Sequence, residues 1–132
     1  MMKTAHDLVL EAKQHIREIS LEDALASLEA KPLVLDVREP DEFQQGHLPS
    51  AINIPRGVLE FRMSQEPTLT DRNRDILLYC KTSGRAALAA DALRKLGFTA
   101  IQSVAGGFDA WLAAGLQEFR LAQLGPDRVH QA

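Results

Sequence analysis

The chain has 132 residues, 45% of them hydrophobic and 25% charged, with a net charge of −3, which fits one globular unit around one core. The acidic balance excludes the broad basic face that nucleic-acid binding needs, so any anion site has to be local. Cys80 is the one cysteine and the four histidines, His6, His15, His47 and His130, are scattered, which leaves no intrachain disulfide and no metal site to expect.

Charges recur every few residues in the N-terminal MMKTAHDLVLEAK, so it reads neither as a signal peptide nor as a membrane span, and a cytoplasmic location is expected. From Thr4 to Ile19 the apolar residues Ala5, Leu8, Val9, Ala12, Ile16 and Ile19 recur at helical spacing opposite Lys13, Gln14 and Arg17. This predicts an amphipathic helix, with a short strand near Arg17 to Ile19 as the alternative. Ser20 with Asp23 resembles a capping box and opens a helix through about Leu28. Leu33, Val34 and Leu35 with Val37 predict a buried strand that ends among polar Asp36, Arg38 and Glu39. Pro40 starts a short helix with Asp41 and Glu42 in its first turn, and Gly46 stops it. Ala51 to Ile54 is a short strand closed by Pro55, and Val58 to Met63 a helix. Ile76 to Tyr79 is an apolar run, as expected of a strand covered on both faces. Ala86 to Leu96 carries strong helix formers and an apolar face, and Gly97 ends that helix. Thr99 to Val104 is the last strand and Phe108 to Ala114 the last helix. Alternating strands and helices predict an α/β domain with a mostly parallel sheet.

Cys80 follows the strand Ile76 to Tyr79, at the carboxyl end where open α/β sheets place their ligands. The loop CKTSGR comes next and then a helix, an arrangement that can turn backbone N–H groups toward one point while the helix N-terminus adds positive potential. Thr82 and Ser83 bring hydroxyl donors, Gly84 brings backbone freedom, and Lys81 and Arg85 bring positive charge. The plainer reading makes Cys80 a small buried hydrophobe at a strand end. Lys81 and Arg85 then read as a solvated face, although cations at a helix N-terminus oppose the dipole unless an anion or thiolate offsets them.

Asp36-Val37-Arg38, Glu42-Phe43 and Gly46-His47-Leu48-Pro49, followed by Ala51, Asn53, Ile54 and Pro55, resemble the first signature segment of rhodanese domains. CKTSGR resembles their active-site loop, and Gly106-Gly107-Phe108 with Trp111 resembles their closing segment. The likeness runs in family order from about Ile19 to Gly115. It implies the rhodanese-like fold, a five-stranded, mostly parallel α/β sheet with helices on both faces. Residues 19–116 would form that domain, 1–18 an N-terminal amphipathic helical extension and 117–132 a C-terminal tail. Periodicity does not choose whether the extension packs on its own domain or on a neighbour.

The resemblance also implies a function, that of a thiosulfate sulfurtransferase. Cys80 would take sulfane sulfur from thiosulfate or a similar donor as a persulfide and pass it to a thiol, to cyanide or to a protein sulfur acceptor, with no cofactor. By position, Lys81, Thr82, Ser83, Gly84 and Arg85 would bind the substrate through an amide cradle, with Lys81 and Arg85 on its anionic group. Many active members have glycine three positions after the cysteine, where this chain has Ser83. Related cysteine-dependent phosphatases and arsenate reductases carry a loop one residue longer, and the four residues between Cys80 and Arg85 match the sulfurtransferase length. The alternatives are a non-catalytic sulfur-carrier or binding module of the same family and, behind it, a phosphatase or arsenate reductase. Asp36 and Arg38 read as a structural ion pair beneath the loop, because buried charges are usually paired. His47 reads as a hydrogen-bonded structural histidine, and Phe108 and Trp111 as core anchors.

Overall fold

The computed structural model describes residues 2–116; the expected tail, 117–132, lies outside the described residues. Its five strands are β1 (Glu18–Ile19), β2 (Leu33–Asp36), β3 (Ile52–Asn53), β4 (Ile76–Tyr79) and β5 (Ile101–Val104), and they form one sheet in the order β1-β5-β4-β2-β3. Every neighbouring pair is parallel, so the sheet is parallel throughout.

Among the described residues the six α-helices are α1 (Ala5–Lys13), α2 (Leu21–Leu28), α3 (Pro40–Gln45), α4 (Leu59–Gln65), α5 (Gly84–Lys95) and α6 (Gly107–Ala113). None of the described helices is long and apolar enough to cross a membrane. All four residues of β2 and all four of β4 are buried, as their unbroken apolar runs require of strands covered on both sides. Alternation along these strands divides the core. Leu33, Leu35, Ile76, Leu78 and Cys80 join Leu59 and Met63 of α4 and Ala86, Ala89, Ala90 and Leu93 of α5 on one face. Val34, Leu77 and Tyr79 join Ala24 of α2 and Phe108 and Trp111 of α6 on the other. Small residues along α5 bring its axis close to the sheet, so larger side chains there would overpack it.

Two local expectations are corrected. The N-terminal helix does not run to Ile19: it ends at Lys13, and the chain then enters the sheet. The cause is tertiary. Ser103 N donates to Arg17 O and Ala105 N donates to Ile19 O, so residues 17–19 satisfy backbone donors along the β5 edge that a continued helix would have left unpaired. Ile16 and Ile19, which helical periodicity puts on one face, pack into the two opposite core layers. The reading of a strand near Arg17 to Ile19 is the one the structure adopts. At α2, Ser20 Oγ accepts from Asp23 N at 3.1 Å, a one-sided cap. The reciprocal box forms at α1 instead, where Thr4 Oγ1 accepts from Asp7 N and the Asp7 carboxylate accepts from Thr4 N. The extension packs on its own domain, with α1 lying along α5.

Candidate active site

From β2 the chain moves outward to β3, and from β4 it moves the other way to β5. The switch point is therefore the crevice at the carboxyl ends of β2 and β4, where parallel sheets leave room for a ligand. Cys80 lies there, 1% exposed, at the end of β4.

The backbone of the loop is divided in two. Its carbonyls face α6: Phe108 N donates to Cys80 O at 2.9 Å and Asp109 N to Lys81 O at 3.0 Å. Its amides do not pair. The backbone N–H groups of Lys81 to Ala86 have no acceptor among the described residues; the first backbone donor of this segment with a partner is Ala87 N, on Ser83 O. Unpaired N–H groups at a loop that opens a helix are what an anion requires. Gly107 makes the docking of α6 possible. At φ +58, a Cβ there would lie 2.5 Å from Thr82 O and 2.8 Å from Lys81 C, and would strike Cys80 O as well.

Beneath the loop, the expected ion pair of Asp36 and Arg38 is present and buried. Arg38 Nη2 donates to Asp36 Oδ2 at 2.6 Å and to Gly46 O at 2.7 Å, and Arg38 Nε reaches both Asp36 oxygens. Burial works against the Arg38 charge, and the hydrogen bonds and charge of Asp36 outweigh it and raise its pKa. The guanidinium also lies over the Phe108 ring, 4.4 Å from its centroid. Tyr79, next to Cys80, donates to Asp36 Oδ2 at 2.8 Å and accepts from Leu48 N at 3.0 Å. Burial, and then the Asp36 charge, hold its phenol well above the usual pKa, so it remains a donor. Asn53 Nδ2 donates to Asp36 O and Arg38 O. The pair thus ties together β2, β4 and the chain from Gly46 to Asn53. His47 Nδ1 meets Phe43 O at 2.9 Å, and its ring stacks on Phe43 with centroids 3.7 Å apart.

Each of the two loop cations has a carboxylate partner. Arg85 has its fork on Glu42, with Nη1 on Oε1 at 2.7 Å and Nη2 on Oε2 at 3.0 Å. Hydrogen bonds from Arg85 pull the Glu42 carboxyl down to about 2, and the same bonds raise the arginine. Lys81 pairs with Asp109 at 2.8 Å and its side chain is 60% exposed. The charges at the N-terminus of α5 are therefore answered by carboxylates, Glu42 for Arg85 and Asp109 for Lys81. Three residues of this site went unassigned in the sequence: Glu42, Gly107 and Lys13, whose Nζ donates to Ser83 Oγ at 3.0 Å from α1. Glu42 and Gly107 lie within the segments Glu42-Phe43 and Gly106-Gly107-Phe108 of the family signature, and nothing local marks Lys13.

Fold and site together define an α/β protein whose one cysteine, buried at the switch point of a parallel sheet, opens a loop of unpaired amides. The sequence model of the rhodanese-like domain matches residues 20–114, and the chain belongs to that family. It is 34% identical over 97 residues to a sulfurtransferase of Allochromatium vinosum, covering 74% of this chain and 86% of that one. It is 37% identical over 99 residues to the uncharacterized protein YqhL of Bacillus subtilis, covering 75% of each. Among solved structures, a protein of unknown function from Rhodopseudomonas palustris, described as a possible tyrosine phosphatase, superposes with a TM-score of 0.80 at 26% identity, covering 89% of this chain and 95% of that one.

Proposed function

We propose that the protein is a sulfurtransferase that carries sulfane sulfur as a persulfide on Cys80, with thiosulfate as a competent donor. One observation carries the reading: a buried thiol opens a loop whose first two carbonyls are engaged by α6 and whose N–H groups, from Lys81 to Ala86, have no acceptor among the described residues. Membership of the rhodanese-like family and the likeness to a relative named sulfurtransferase support it.

The Cys80 thiolate attacks the outer sulfur of thiosulfate, since the thiolate and not the thiol is the nucleophile. A bond forms between Cys80 Sγ and that sulfur, the S–S bond of thiosulfate breaks, and its electron pair leaves with sulfite. One negative charge then sits on the terminal sulfur of the persulfide. The N–H groups of Lys81, Thr82, Ser83, Gly84 and Arg85 hold the sulfonate group, then the departing sulfite and the persulfide anion. The side chains of Arg85 and Lys81 act as fixed charges, because the fork of one lies on Glu42 and the ammonium of the other on Asp109. A second nucleophile, such as cyanide or a thiolate, takes the terminal sulfur and regenerates the Cys80 thiolate, so one difficult transfer becomes two easier ones. With one cysteine in the chain, no second thiol is present in it to resolve the persulfide into an intrachain disulfide.

Intact mass spectrometry after thiosulfate treatment and removal of excess donor tests this. The expected result is a mass increase of one sulfur atom on the Cys80 peptide, discharged by cyanide and absent from Cys80→Ser. Equal turnover by Cys80→Ser, or rapid conversion of the labelled protein to a covalent dimer, would refute it. The likeness to a possible tyrosine phosphatase makes an aryl phosphate the necessary comparison, and hydrolysis of it without persulfide formation would favour that reading.

A further inference from the structure

We propose that Lys13 on α1 is a specificity-determining residue of the donor site, favouring donors with two negative charges over donors with one. The inference rests on the sulfurtransferase reading of the Cys80 loop and adds to it a residue that lies before the matched residues 20–114.

Three cations surround the loop, and they are not equally neutralised. Arg85 is engaged through both nitrogens by Glu42, and Lys81 by Asp109 at 2.8 Å. Lys13 is different. Its carboxylate neighbour is Glu18 at 3.4 Å, longer than the 2.7–2.9 Å of a charge-assisted hydrogen bond. Its hydrogen bond goes to the neutral hydroxyl of Ser83. Of the three, Lys13 has the longest carboxylate contact and is the one whose hydrogen bond goes to a side chain of the loop.

The contact is also directional. An ammonium has donors only, so Ser83 Oγ must be the acceptor and the hydroxyl proton is turned elsewhere. Ser83 occupies the N-cap position of α5, yet its side chain caps no backbone amide, and among the described residues no acceptor takes its proton. The proton is thus free to join the unpaired amides of Lys81 to Ala86 around an anion. The helix that carries Lys13 is seated on α5 by packing. A Cβ on Gly84 would lie 3.5 Å from Val9 Cγ2, so α1 rests at van der Waals distance on the first turn of α5. The side chain of Lys13 is 31% exposed, which keeps its charge partly screened and partly felt.

The charge contrast is read by comparing thiosulfate, with two charges, with methanethiosulfonate, with one, both of which offer a terminal sulfur. For Lys13→Gln the KM for thiosulfate is expected to rise about 5-fold and that for methanethiosulfonate about 2-fold, with kcat little changed, since the lost Coulomb attraction scales with ligand charge. The difference should shrink at high salt. Lys13→Arg should restore the preference. Ser83→Ala should raise the thiosulfate KM in the same direction, and the double variant should be no worse than the poorer single one, because the two side chains act as a unit. Equal effects on both donors, or none, overturn the proposal.

Calorimetric titration of thiosulfate into Cys80→Ser, with Lys13 or with glutamine in its place, separates the two readings. Lys13-dependent binding in a protein whose wild type forms no persulfide would support the charge selector and refute the sulfurtransferase. Persulfide formation with donor preference unchanged in Lys13→Gln would refute the charge selector alone.

Discussion

Gly107→Ala tests whether the backbone of the Cys80 loop is held by α6. The substitution imposes two separable costs. An L-residue at φ +58 pays about 1–2 kcal/mol for the left-handed conformation. The added methyl would also sit 2.5 Å from Thr82 O and 2.8 Å from Lys81 C, against about 3.5 Å or more for comfortable contact between heavy atoms. All of these neighbours are backbone, so the loop and α6 must separate by close to an ångström. That strains or breaks the bonds from Phe108 N to Cys80 O and from Asp109 N to Lys81 O, each worth about 1 kcal/mol. The expected loss of stability is about 3 kcal/mol. A displacement of that size at the reacting loop is of the order that costs about 100-fold in rate. Gly115→Ala is the control. Gly115 has φ +72 but nothing within 4 Å of its Cβ position, so it bears the conformational cost without the collision. Urea denaturation gives the stabilities, and single-turnover persulfide loading from thiosulfate gives the rate. If Gly107→Ala and Gly115→Ala lose the same stability and load sulfur equally fast, α6 does not position the loop.

Tyr79→Phe deprives the buried Leu48 N–H of its acceptor and Asp36 of a donor; the expected cost is about 2–3 kcal/mol in urea denaturation, and a loss below about 0.5 kcal/mol would show that another group takes over these bonds. Glu42→Gln should change the acid limb of the stability curve. The folded carboxyl titrates at about 2 against 4.5 unperturbed, so its contribution is fully present above about pH 4.5 and is lost as the pH falls toward 2. The Glu42 and Arg85 side chains are 29% and 37% exposed, so solvent screening limits the contribution to about 1 kcal/mol. Wild type minus Glu42→Gln should therefore shrink across that window, and a difference independent of pH would mean the pair adds nothing through charge.

What the sequence makes legible is what short stretches encode by themselves. The apolar runs of β2 and β4, the alanine-rich face of α5 and the polar loop between β4 and α5 each carry their own period or composition, and the structure has them where the pattern places them. β1 is different. Two residues long, it exists because β5 offers backbone donors to Arg17 and Ile19, and helical periodicity in the preceding segment points the wrong way. The same limit applies to the charges of the site. That cations at a helix N-terminus need an anion is a local rule, but it does not say which anion. Here the answers come from Glu42, 43 positions from Arg85, and from Asp109, 28 positions from Lys81. Both depend on which strands are neighbours, and the order β1-β5-β4-β2-β3 is written in no single window of the chain. Lys13 is the extreme case, 70 positions from Ser83. On a helical projection it is one more charge on a polar face. It becomes part of the loop only because α1 lies against the first turn of α5. A change in α1 that leaves its amphipathic pattern intact but shifts its seat on α5 would therefore alter the charge at the Cys80 loop without touching any residue of the family signature.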